Sequence, residues 1–86
     1  MVPEEIHISS LVVHSRPWQA TAVAARLREM PGVEVRGGVE SGKLVVTLET
    51  ANESEVVERL NAIQLLEGVL AATLVFHHFE PLQEQG

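Results

Sequence analysis

The run Gly68-Val-Leu-Ala-Ala-Thr-Leu-Val-Phe76 reads as a β-strand that is apolar on both faces, and it stands in a chain of only 86 residues. Strands buried on both sides belong to sheets with helices above and below. A domain of this size buries only roughly 60 to 65% of the surface its unfolded chain exposes. There is room for helices on one side of a sheet, so an apolar face is left for a partner.

The remainder of the chain fits one domain over residues 1–86, with a core from about 6 to 78 and a polar tail over 79–86. Hydrophobic residues make up 45% and charged residues 21%, which is a globular rather than a disordered balance. The absence of cysteine excludes a disulfide scaffold, thiolate catalysis and thiolate-bound metal. A net charge of −6 disfavours nucleic acid, whose phosphates require a basic face, and favours cationic ligands. The N-terminus, Met1-Val2-Pro3-Glu4-Glu5, lacks the basic and apolar regions of an export signal, and no apolar stretch has the length of a membrane span. A cytoplasmic protein without stable membrane insertion is expected.

Element signals follow in order. Ile6 to His14 is short and rich in β-branched residues, as a strand is. Pro17 suits the first turn of a helix, and Trp18, Ala22, Val23, Leu27 and Met30 recur at spacings of three and four. Pro31-Gly32 ends that helix. Val33-Glu34-Val35-Arg36 alternates with period two, and Gly37-Gly38 with Ser41-Gly42 supply turn chemistry for a hairpin. In the returning strand, Leu44, Val46 and Leu48 share the core face, and Lys43, Val45, Thr47 and Glu49 share the other. Asn52 is placed to cap a second helix with Glu55 completing the box, and Val56, Leu60 and Ile63 form its apolar stripe. Gly68 ends it before the last strand.

The order β-α-β-β-α-β, with helices closing on Pro31-Gly32-Val33 and again on Glu67-Gly68-Val69, predicts an α+β ferredoxin-like fold. That fold is a four-stranded antiparallel sheet with both helices on one face, its first and third strands central. Two orientations of the last strand compete. The half-repeat buries Val69 and Ala71 and turns Leu70, Ala72, Leu74 and Phe76 outward, whereas side-chain size buries Leu70, Leu74 and Phe76 and exposes Thr73 and His77; either way Val75 or Phe76 ends near the open face. Size is favoured, because larger side chains contribute more burial energy.

Motifs for catalysis are lacking: there is no nucleophile elbow, phosphate loop or His-Glu-x-x-His, so no enzyme is expected. Antiparallel pairing of the outer strands brings His7 near His77 or His78. Without a carboxylate placed among them, solvated strand-end histidines are the simpler reading, and no metal or other cofactor is expected. Trp18 is expected to anchor in the core or against a loop, with a binding hot spot as the alternative, since Trp is enriched there. Glu49, at the end of a central strand on the presumed open face, is either a solvated charge or a ligand for a guanidinium.

Four segments together are similar to the NapD family: Ser10-Leu11-Val12-Val13, Pro31-Gly32-Val33-Glu34-Val35, Ser41-Gly42-Lys43-Leu44-Val45-Val46 with Glu49, and Glu67 through His77. The resemblance implies a cytoplasmic chaperone that binds the twin-arginine signal peptide of the periplasmic nitrate reductase catalytic subunit and delays its export by the Tat translocase until cofactors are inserted. Strand geometry then places the peptide-binding residues at Ser9, Leu11 and Val13 on the first strand, Val45, Thr47 and Glu49 on the third, and Thr73 and Val75 on the fourth. An open apolar sheet also leaves weak self-association open. The competing function is an ACT-like regulatory module that binds a small ligand. It is disfavoured by a first-strand loop, Ser15-Arg16-Pro17, without glycine.

Overall fold

A computed structural model describes residues 5–81. Four strands, β1 (Glu5–Ser15), β2 (Val33–Gly37), β3 (Lys43–Thr50) and β4 (Val69–Pro81), form one sheet in the order β2-β3-β1-β4. Every neighbouring pair is antiparallel. Helix α1 (Ala20–Arg28) joins β1 to β2 and helix α2 (Glu53–Gln64) joins β3 to β4. This is the ferredoxin-like arrangement expected from the sequence, with β1 and β3 central.

The helices form where the signals place them. A single 3-10 turn at Pro17–Gln19 leads into α1, whose Val23, Ala24 and Leu27 are buried, and Arg26 and Arg28 in its last turn offset the negative end of the helix dipole. The Asn52 side chain accepts a hydrogen bond from the Glu55 backbone N–H at 2.9 Å, capping α2, and donates to the Glu55 carboxylate at 3.3 Å, a side-chain bond in place of the reciprocal backbone bond of a capping box. The connection between β2 and β3 is longer than a tight hairpin turn: a 3-10 turn over Val39–Ser41 lies between Gly38 and Gly42, both left-handed.

One face of the sheet is sealed by the helices. Leu44, Val46 and Leu48 of β3 are fully buried with Val23, Leu27 and Ile63 of the helices, as their alternation predicts. On β1 the face is the opposite of the expected one. Leu11 and Val13 have no exposure and neither does Ser9, so all three lie in the core, whereas Ile8, Ser10, Val12 and His14 look outward. The registers Leu11↔Val46 and Val13↔Leu44 fix this, because paired residues share a face. Alternation alone does not choose a face on β1, because both faces mix polar and apolar residues, and the pairing with β3 decides it.

Neither orientation considered for β4 describes the whole strand. Two bulges interrupt its pairing with β1, at Leu70 and at Val75, each an extra residue that shifts the alternation by one. In the middle of the strand Thr73 faces outward and Ala72 and Leu74 face the helices, but only Ala72 is buried; Leu70, Leu74 and Phe76, which size placed in the core, are 56%, 40% and 56% exposed. Beyond Val75 the sense inverts: Phe76 pairs with outward Ser10, and His77 with buried Ser9. Phe79, assigned to the tail, is part of β4 and stacks on His7; residues 82–86 and Met1–Glu4 lie outside the described residues. Trp18 is 77% exposed and anchors nothing.

The face assignment on β1 is directly testable by urea unfolding. Leu11→Ala is expected to cost about 2–5 kcal/mol, and Val12→Ala, one residue along on the outer face, less than about 1 kcal/mol. Equal losses would contradict it.

Candidate functional site

The uncovered face of the sheet is the largest feature available for function. Its centre is apolar: Ile8 from β1, Val45 from β3 and Phe76 from β4 are 38%, 45% and 56% exposed, with Val12 half-buried between them. Ser10 and Thr73 contribute small polar side chains on the same surface. Single exposed apolar residues are ordinary, but a group spread over three adjacent strands is not.

Charge is distributed along this face with a polarity. At one end stands Glu49, whose carboxylate has no ion-pair partner among the described residues. Its backbone N–H donates to the Gly32 carbonyl at 2.8 Å, and Gly32 is held at φ +77° so closely against it that an added Cβ would fall 2.2 Å from the Glu49 carbonyl oxygen. The Pro31-Gly32 helix stop therefore also locates the acid, since only glycine fits both the φ and the contact. Glu49 lines two neighbouring recesses. One, of about 350 Å³, runs under Glu5, Ile6 and Glu55; the other, of about 140 Å³, lies on the open face against Ile8, Glu34 and Thr47. At the opposite end are Lys43 and His14, paired across β1 and β3.

Arg36 lies between. Its Nε donates to Thr47 Oγ1 at 3.1 Å and its guanidinium meets Glu34 at 3.3 Å, tying β2 to β3 on the outer surface. Both members of that ion pair are more than half exposed, so solvent screens it and its contribution to stability is small.

The histidines form a cluster of another kind. His7, 4% exposed, has Nε2 3.0 Å from a Glu5 carboxylate oxygen and Nδ1 2.9 Å from His77 Nε2. A carboxylate only accepts, so His7 Nε2 carries a proton and donates it to Glu5; in the neutral imidazole Nδ1 then accepts from His77 Nε2–H. The rings of His77 and Phe79 stack on His7 with centroids 5.1 and 5.2 Å away. This closes the end of the β1–β4 ribbon beyond the reach of the helices. His7 is thus a buried, bonded residue and not a solvated strand-end histidine. Among the described residues no group of three or more metal-ligating side chains is arranged to hold a metal.

Of the residues placed at the binding face by sequence, the structure brings together Val45, Thr47, Glu49 and Thr73 on the outer surface. Ser9, Leu11 and Val13 are on the sealed side. Val75 is the extra residue of the second bulge and is 60% exposed. Ile8, Val12 and Phe76 were missed. The register of β1 against β3, whose faces were read correctly, would have found the first two. Nothing in the composition of β4 announces the bulge that turns Phe76 outward.

Comparison with known proteins gives this surface a context. A family model described as "NapD protein" matches residues 6–81. The chain belongs to the NapD family. The Chaperone NapD of Paracoccus pantotrophus is 39% identical over 80 residues, covering 93% of this chain and 70% of that protein. The Chaperone NapD of Escherichia coli K12 is 32% identical over 80 residues, covering 92% and 88%. The solution structure of the E. coli Tat proofreading chaperone protein NapD superposes with a TM-score of 0.78 at 29% identity, over 94% of this chain and 86% of that one. The family is one of chaperones, not enzymes, which sets aside the ACT-like regulatory reading. Among the described residues no helix is long and apolar enough to cross a membrane.

The ribbon-end cluster carries its own expectation. His7→Ala removes a buried side chain that bonds Glu5 and His77, and because both partners reach solvent the hydrogen bonds it loses should cost about 0.5–1.5 kcal/mol of stability. Thermal or urea unfolding at neutral pH measures it, and an unchanged midpoint would show that the cluster contributes nothing.

Proposed function

We propose that this chain is a cytoplasmic chaperone that binds the twin-arginine signal peptide of the periplasmic nitrate reductase catalytic subunit on the open face of its sheet. By doing so it withholds the precursor from the Tat translocase until cofactor insertion is complete. The observation that carries this reading is the juxtaposition on one surface of an apolar centre with a carboxylate at its end that has no ion-pair partner among the described residues. A twin-arginine signal has the complementary pattern, two guanidinium groups followed by an apolar stretch.

Magnitudes are compatible with a reversible complex. Covering Ile8, Val12, Val45 and Phe76 contributes about 1.5–3 kcal/mol for each side chain fully buried, and less for those already part-covered. Association and ordering cost about 4–15 kcal/mol. The apolar contacts alone leave the complex weak, and charge-assisted hydrogen bonds from Glu49 to an arginine, at about 1.5–3 kcal/mol, bring it into a working range. A chaperone that must release its client needs a complex of this kind. The net charge of −6 adds a long-range attraction for a basic peptide.

Isothermal titration of the purified chain with the synthetic signal peptide, and with a version carrying lysine for both arginines, tests the reading. The native peptide is expected to bind, and the lysine version roughly tenfold or more weakly, because an ammonium cannot make the two-point contact of a guanidinium. Equal affinities would remove Glu49 from the site, and no binding of either peptide would refute the proposal.

A further inference from the structure

Building on the signal-peptide reading, we infer that the peptide lies on the sheet in one direction, with its arginine pair at the Glu49 end and its apolar segment running parallel to β1 toward Lys43. The inference comes from how charge is left uncompensated. Glu49 and Lys43 project from the same face of β3, six residues and therefore about 20 Å apart. Neither has an ion-pair partner among the described residues. Elsewhere on this face the charges have partners, Glu34 with Arg36 and Glu80 with His78. One free carboxylate and one free ammonium thus mark opposite ends of the apolar centre.

Two electrostatic effects select the same direction. Two guanidinium groups at the Glu49 end meet a carboxylate bordered by two recesses, of about 350 and 140 Å³, in which acids outnumber bases: Glu5, Glu49 and Glu55 against Arg59 in the first, Glu34 and Glu49 against Arg36 in the second. The reverse placement sets them beside Lys43, where like charges repel. A distance of about 20 Å also accommodates an apolar segment of about 13 residues if helical or six if extended. For a helical peptide the macrodipole adds to the preference, its positive N-terminus meeting Glu49 and its negative C-terminus meeting Lys43. Both electrostatic effects invert together when the peptide is turned round.

The chain contains no cysteine, so a nitroxide attached to a cysteine in the peptide is the sole spin label in the complex. With ¹⁵N-labelled protein, a label just before the arginines is expected to broaden the amides of Ile8, Glu49 and His78. A label just after the apolar segment is expected to broaden those of His14, Lys43 and Ala71. The opposite pattern, or the same pattern from both labels, would overturn the direction. Exchanging the charges with Glu49→Lys and Lys43→Glu should reverse the pattern in a chain that still folds, and an unchanged pattern would remove the electrostatic cause. If the unlabelled peptide gives no heat in calorimetry, or broadening falls on α1 and α2 alone, it is the signal-peptide reading itself that fails.

Discussion

The packing of α1 and α2 against Leu11, Leu44, Val46 and Leu48 is the constraint from which the rest of the molecule follows. Two helices of nine and twelve residues cover one face of a four-stranded sheet and cannot reach the other. Because side chains alternate along a strand, burying Leu11 and Val13 obliges Ile8, Ser10 and Val12 to face outward, and burying Leu44, Val46 and Leu48 obliges Val45, Thr47 and Glu49 to do the same. The apolar character of the outer face is therefore not needed for folding. It is surface that the fold leaves uncovered, in a family of chaperones.

Bulges in β4 refine this division. With strict alternation, Leu74 and Phe76 would share a face and His77 would take the other. The extra residue at Val75 turns Phe76 to the open side and sends His77 and Phe79 to cover His7. One irregularity thus serves two ends. It supplies an aromatic side chain to the exposed centre, and it closes a ribbon end that neither helix reaches with a bonded Glu5–His7–His77 chain.

Much of this was legible in the sequence and some was not, for physical reasons. Helix stops at Pro31-Gly32 and Gly68, the Asn52 cap and the alternation of β3 are local signals, and each stands where it was read. The two faces of β1 each mix polar and apolar residues, His7 and Ser9 with Leu11 and Val13 on one and Ser10 and His14 with Ile8 and Val12 on the other. Polarity gives no guide there, because the buried imidazole is bonded to Glu5 and to His77, seventy residues away, while the Ser9 hydroxyl is buried with no hydrogen-bond partner among the described residues. Trp18 misled: large apolar side chains are usually covered, and this one is not. Glu49 was found by its position at a strand end, but the glycine contact that sets its backbone, and the recesses beside it, are tertiary facts.

The central claim is that the sealed face folds the protein and the open face binds its client. Amide chemical-shift mapping of the ¹⁵N-labelled chain during titration with the twin-arginine signal peptide addresses it most directly. The largest shifts are expected to fall on Ile8, Val12, Val45 and Phe76 and to extend to Glu49, while α1 and α2 remain unperturbed. Shifts concentrated on the helices, with the open sheet silent, would contradict it.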